Sequence, residues 1–108
     1  MRSMFGNCKS LTTSKLNLSK WDTSNVWNME YMFYGCESIT KLDLSGWNTS
    51  GTKCMRSMFE DCISLMELNL SKWNISRVCK MGLDEMFKNC NSLVKLNLSN
   101  WNDTPYVR

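Results

Sequence analysis

The chain is a fourfold repeat of one short unit. Each unit contains a Met-Phe pair, a cysteine three residues later, a leucine pair at alternate positions, a serine, and a tryptophan two residues after that serine. The Met-Phe pairs are Met4-Phe5, Met32-Phe33, Met58-Phe59 and Met86-Phe87. The step is 26 residues, or 28 where two residues are inserted. The chain therefore reads as a single repeat domain, 1–108, with approximate repeats 1–28, 29–54, 55–80 and 81–108.

Each unit combines two hydrophobic periods. In "VWNMEYMFYGC", residues 26–36, apolar side chains recur every three to four positions, which indicates one face of a helix. In "ITKLDLS", residues 39–45, Leu42 and Leu44 alternate with polar residues, which indicates a strand with one buried side. Units this short have to stack their strands in parallel. We therefore predict an α/β solenoid of about four strand–turn–helix coils with one parallel sheet.

Stacking is what makes such a unit stable. One repeat buries about eight large side chains, worth roughly 2 kcal/mol each, whereas ordering its residues costs roughly 1.5 kcal/mol apiece. Neighbouring units must share one core to offset that cost. The sequence shows no polar cap at either end, so we expect a fragment of a longer array or end-to-end self-association.

Composition argues against most enzymes. The 108 residues include no histidine, which removes the commonest general base and metal ligand. The net charge of +3 is small and scattered, so no nucleic-acid surface is expected. No apolar run approaches the roughly 20 residues of a membrane span. We predict no catalytic residues, no metal and no cofactor, and no membrane insertion by this segment.

Two rows of repeated residues are interpreted as structural. A thiol at the same place in each unit would fill one slot of the core, and a tryptophan after each strand would close a turn and point inward. An aromatic row could instead bind sugars, and Cys54 and Cys79, which stand outside the row, could form a disulfide. The structural ladder comprises Cys8, Cys36, Cys62, Cys90, Trp21, Trp47, Trp73 and Trp101.

The outward strand positions are the candidate partner-binding sheet face. They form three rows, which could equally be a solvated polar surface. Four short strands present only a few hundred Å², less than the roughly 800 Å² per partner of a standard interface, so this face alone should bind weakly. The rows are Lys15, Lys41, Glu67 and Lys95; Asn17, Asp43, Asn69 and Asn97; and Ser19, Ser45, Ser71 and Ser99.

The pattern "SLxxLxLSxW…V…MxxMFxxC" resembles the BspA-like leucine-rich repeats of bacterial, mycoplasma and protist surface proteins. The stretches "MFYGCESITKLDLSGWNTS" and "MFEDCISLMELNLSKWNIS" carry the resemblance. It implies a right-handed leucine-rich-repeat solenoid, a surface or secreted location, and a non-enzymatic role in adhesion or in binding a protein, cell-surface or matrix ligand. The alternative function is a structural spacer or self-assembling unit without a specific ligand.

Overall fold

The computed structural model describes residue 18, residues 22–79, residues 81–99 and residue 101. It contains three short strands, β1 (Lys41–Asp43), β2 (Glu67–Asn69) and β3 (Lys95–Asn97). They form one parallel sheet in the order β1-β2-β3. Equivalent residues of successive units are paired, so that Leu42 lies beside Leu68 and Leu68 beside Leu96. This register superposes each outward residue on its counterpart in the next unit.

Consecutive turns form the other side of each unit. We call the segments 29–36, 55–62 and 83–90 the turn row. Within it, every second amide donates to the carbonyl three residues earlier, as Met32 does to Met29 at 3.2 Å. The intervening amides of one unit donate to carbonyls of the next. The bonds from the second unit are Met29 to Cys54 (2.8 Å), Tyr31 to Arg56 (3.0 Å), Phe33 to Met58 (2.8 Å) and Gly35 to Glu60 (2.9 Å).

The same ladder joins the third unit to the fourth. Its bonds are Met55 to Gly82 (2.7 Å), Ser57 to Asp84 (3.0 Å), Phe59 to Met86 (3.0 Å) and Asp61 to Lys88 (2.9 Å). In both cases the donor lies in the earlier unit and the acceptor in the later one. The turn row therefore has a direction, with its amides pointing toward the C-terminal unit.

The prediction of a strand–turn–helix solenoid is wrong. The assignment to the right-handed leucine-rich-repeat α/β class is wrong for the same reason. The described residues contain no helix, and their regular structure is limited to the three parallel strands. A helix needs φ near −63° throughout, whereas each turn-row segment has two residues of positive φ. These are Tyr31 (58°), Gly35 (71°), Ser57 (54°), Asp61 (62°), Glu85 (57°) and Asn89 (62°).

The turns reproduce the side-chain period that suggested a helix. Each positive φ falls at the third position of a four-residue turn, the place where a type II turn requires it. Each turn joins residues that are three positions apart in sequence. The turns therefore place Met29, Met32, Phe33 and Cys36 on the same side, where all four are fully buried. Apolar spacing alone therefore could not distinguish stacked turns from a helix.

The core lies between the sheet and the turn row. Leu42, Leu44, Leu68 and Leu70 enter it from the strands. Aromatic rings stack from one unit to the next: the Phe33 and Phe59 centroids are 5.5 Å apart and the Trp47 and Trp73 centroids 6.2 Å. Each indole also donates to a leucine carbonyl of the preceding unit. Those bonds are Trp47 to Leu18 (2.8 Å), Trp73 to Leu44 (2.7 Å) and Trp101 to Leu70 (3.2 Å).

Candidate partner-binding face

One row of charged residues crosses all three strands. Lys41, Glu67 and Lys95 are paired in the sheet register. The Glu67 carboxylate lies 3.1 Å from Lys41 Nζ and 3.3 Å from Lys95 Nζ. Hydrogen bonds from Lys41 and then Lys95, with their positive charges, hold the pKa of Glu67 below its ordinary value. The row therefore presents an alternating plus–minus–plus pattern that spans three units.

The second and third predicted rows bond to each other. Asp43 Oδ1 accepts hydrogen bonds from the Ser45 amide (3.0 Å) and hydroxyl (2.6 Å). These bonds, the hydroxyl first, lower the pKa of Asp43. Amides of the equivalent serines donate in the same way, Ser71 to Asn69 (3.0 Å) and Ser99 to Asn97 (3.1 Å). These residues shape the turn after each strand, so the first row supplies the charged contacts of the face.

An apolar border flanks the charged row. Met66 is 45% exposed and Val94 is 74% exposed, each directly before a strand. An open groove of about 930 Å³ passes over the three strands and is lined by the charged row and by Val94. Sequence reasoning missed this border because it considered only alternating strand positions. Aligning the residue before each "KLD", "ELN" and "KLN" would have placed Thr40, Met66 and Val94 in one row.

Five predicted residues lie outside the described part of the chain. They belong to the first unit: Lys15, Asn17 and Ser19 of the face, and Cys8 and Trp21 of the structural ladder. The candidate face is therefore described over three units. Its described members are Lys41, Asp43, Ser45, Glu67, Asn69, Ser71, Lys95, Asn97 and Ser99.

Two cysteines of the predicted structural ladder make hydrogen bonds between units. The Cys62 thiol donates to the Phe33 carbonyl (3.1 Å) and the Cys90 thiol to the Phe59 carbonyl (3.0 Å), so each thiol bonds to the preceding unit. Burial raises the pKa of Cys62 strongly, and it raises that of Cys90 to about 11. Both groups are therefore protonated at neutral pH, the opposite of an activated nucleophile.

The remaining candidate residues are the two cysteines outside the row and the tryptophans. Cys54 and Cys79 carry free thiols, and Cys79 is exposed. Trp47, Trp73 and Trp101 are buried, whereas Trp27 is 61% exposed. Among the described residues, no three His, Cys, Asp or Glu side chains are grouped as metal ligands. Nor does that part of the chain contain a helix with the length and hydrophobicity needed to cross a bilayer.

The comparisons with known proteins identify a family without a known function. Residues 1–107 match the family model described as "Mycoplasma protein of unknown function, DUF285". No curated protein and no solved structure matches the chain. The match extends over nearly all of the 108 residues. The chain therefore belongs to the DUF285 family.

Proposed function

We propose that this chain is a non-enzymatic recognition module that binds a protein ligand across the strands. The observation that carries the proposal is the Lys41–Glu67–Lys95 row, which continues through three units with both ion pairs formed. The resemblance of the repeated sequence to BspA-like leucine-rich repeats supports a cell-surface or secreted location and an adhesive role for the chain. A matrix or cell-surface protein is the ligand class that this resemblance favours.

The chemistry of the face favours a protein over a nucleic acid. Alternating charges leave no strongly positive surface of the kind that DNA and RNA require. Exposed Met66 and Val94 place apolar area directly beside the charges. Protein interfaces combine an apolar centre, in which methionine is enriched, with a polar rim. The charged row would orient the partner, and the apolar border would supply buried area.

Strong binding by this face requires several copies. Three strands of three residues offer much less than the roughly 800 Å² per partner of a standard interface. A partner with repeated sites, or a surface carrying many copies of this chain, would gain avidity without any new contact. We therefore expect the apparent affinity to depend steeply on how densely copies of the chain are placed on a surface.

Reversing the central charge should weaken binding. Purified fibronectin, fibrinogen and laminin would be passed over the immobilised chain at several surface densities and binding measured by interferometry. Glu67→Lys replaces two attractive contacts by a row of three lysines. We expect about a tenfold loss of affinity for whichever protein binds, as for loss of one important interface contact. The melting temperature should change little, because exposed ion pairs contribute little to stability.

Asp84→Lys is the matched control. It makes the same change of charge at an exposed residue of the turn row, away from the strands. This variant should bind like the unmodified chain. Absence of binding to all three proteins at every density, or an equal loss for both variants, would contradict the proposed recognition surface.

A further inference from the structure

The charged row of the candidate face repeats at the pitch of the parallel sheet. Lys41, Glu67 and Lys95 occupy equivalent positions in β1, β2 and β3. Neighbouring parallel strands lie about 4.8 Å apart, so the backbone positions of the two lysines are separated by about 10 Å along the stack. A ligand that meets all three charges therefore has to carry three groups at steps of about 5 Å.

An α-helix presents side chains at those steps, whereas an extended segment does not. Side chains at positions i, i+4 and i+7 lie on one face of a helix. A rise of about 1.5 Å per residue separates the first and last of them by about 10.5 Å. Side chains on one face of a strand are about 6.6 Å apart, so three of them cover about 13 Å. The pitch of the charged row therefore favours a helix that lies along the stack, across the strands.

The apolar border follows the charged row at the same pitch. Met66 and Val94 directly precede Glu67 and Lys95, and both apolar side chains are exposed. Apolar residues three or four positions apart on a helix would contact this pair while the neighbouring stripe meets the charges. Two turns of helix, about 10 Å wide and 10.5 Å long, occupy about 800 Å³. The groove over the strands, about 930 Å³ in volume, is large enough to hold them.

The three charges are accessible to a ligand although they are paired with one another. The side chains of Lys41 and Lys95 are 66% and 77% exposed, and that of Glu67 is 32% exposed. Charges on a partner are complementary when each lies against its opposite. The complement of this plus–minus–plus row is an acidic, a basic and an acidic side chain, in that order.

We propose that the ligand of this face is an amphipathic α-helical segment of a protein, lying across the three strands. The segment carries acidic, basic and acidic residues at positions i, i+4 and i+7, beside a stripe of apolar residues. Helices that dock in grooves are recognised through residues at this spacing. The acidic residues face Lys41 and Lys95, the basic residue faces Glu67, and the apolar stripe covers Met66 and Val94. The inference rests on the proposed function and specifies the structure of its ligand.

Three labelled peptides of about 20 residues, rich enough in alanine to be helical, test the proposal by fluorescence anisotropy with the full chain. The first carries Glu, Lys and Glu at i, i+4 and i+7 beside a stripe of leucines. The second has the same composition in the order Glu, Glu, Lys, which replaces two attractive contacts by like charges. The third has a proline at the centre of the first, which breaks the helix. The first peptide should bind about tenfold more tightly than either of the others.

Reversing all three charges of the row should reverse the preference for peptides. The variant Lys41→Glu/Glu67→Lys/Lys95→Glu presents a minus–plus–minus row and keeps opposite charges next to each other. It should bind the Glu–Lys–Glu peptide about tenfold more weakly than the unmodified chain does, and a Lys–Glu–Lys peptide about tenfold more tightly. An unfolded variant cannot produce that gain of binding. Asp84→Lys, which lies in the turn row, should keep the preference of the unmodified chain.

The helical ligand and the proposed function fail in different ways. No binding of the Glu–Lys–Glu peptide, equal binding of the permuted peptide, or equal binding of the proline peptide would overturn the helical ligand. The proposed function survives such a result if fibronectin, fibrinogen or laminin binds the unmodified chain and Glu67→Lys weakens that binding. Where one of these proteins does bind, the Glu–Lys–Glu peptide should displace it and the permuted peptide should not.

Discussion

Replacing Trp73 with alanine should destabilise the chain by about 4 kcal/mol. Removing a fully buried tryptophan from a core costs about 3–5 kcal/mol, and Trp73 is 0% exposed. Its ring stacks on Trp47 and Trp101, with centroids 6.2 and 6.4 Å away. Its indole also donates to Leu44, whose carbonyl keeps a second bond from the Trp47 amide. The lost hydrogen bond should therefore add only about 1 kcal/mol.

Urea unfolding followed by far-ultraviolet circular dichroism measures this loss. Trp27→Ala is the matched control, because the Trp27 side chain is 61% exposed and its truncation should alter stability by no more than about 0.5 kcal/mol. Trp73→Phe keeps a ring in the stack and removes the indole N–H, so its loss of stability should lie between those of Trp73→Ala and Trp27→Ala. Equal losses for Trp73→Ala and Trp27→Ala would show that the tryptophans do not form a buried column.

Gly82→Ala should also destabilise the chain, by about 1–3 kcal/mol, the usual cost of overfilling a close-packed site. A Cβ atom at residue 82 would lie 2.6 Å from Val78 Cγ1 and 2.8 Å from the Lys53 carbonyl oxygen. A side chain could move aside, but the Lys53 carbonyl is part of the backbone and accepts from the Cys79 amide at 3.0 Å. Relief of the clash would therefore move residue 82 and disturb the hydrogen bond that its carbonyl accepts from the Met55 amide.

Gly51→Ala provides the comparison for Gly82. The nearest atom to a Cβ at residue 51 is the Ser24 carbonyl oxygen at 3.4 Å, an ordinary contact distance. Stability should be unchanged or rise by up to about 1 kcal/mol, because alanine restricts the unfolded chain more than glycine does. Urea midpoints of the two variants would be measured side by side. A Gly82→Ala protein as stable as Gly51→Ala would contradict the close contact between units.

The sequence contained enough information to identify the inward residues but not the backbone that carries them. Met32, Phe33 and Leu42 have a counterpart of the same residue type in every unit, and all three are buried. The same spacing gave the wrong backbone at 29–36. A helix satisfies amides within its own segment, whereas here alternate amides leave the segment to reach the next unit. Hydrogen-bond partners 25 or 27 residues along the chain leave no mark on a local hydrophobic period.

The hydrogen bonds of individual side chains could not be predicted from the repeat pattern either. The sequence placed Lys41, Glu67 and Lys95 in one row, and repetition is sufficient to predict such a row. It could not show that Asp43 is held by Ser45, since the same two residues could have pointed to solvent. Likewise, the hydrogen bond from Cys62 to Phe33 requires the distance between two units, which no single repeat encodes.

Hydrogen-bond scalar couplings measured by NMR test most directly the claim that stacked turns, rather than helices, join the units. The Phe59 amide nitrogen lies 3.0 Å from the Met86 carbonyl oxygen. The account predicts a coupling between that nitrogen and the Met86 carbonyl carbon, with the equivalent signal from Phe33 to Met58. Couplings to the carbonyls four residues earlier, from Phe59 to Met55 and from Phe33 to Met29, would instead reveal helices and contradict the fold described for these units.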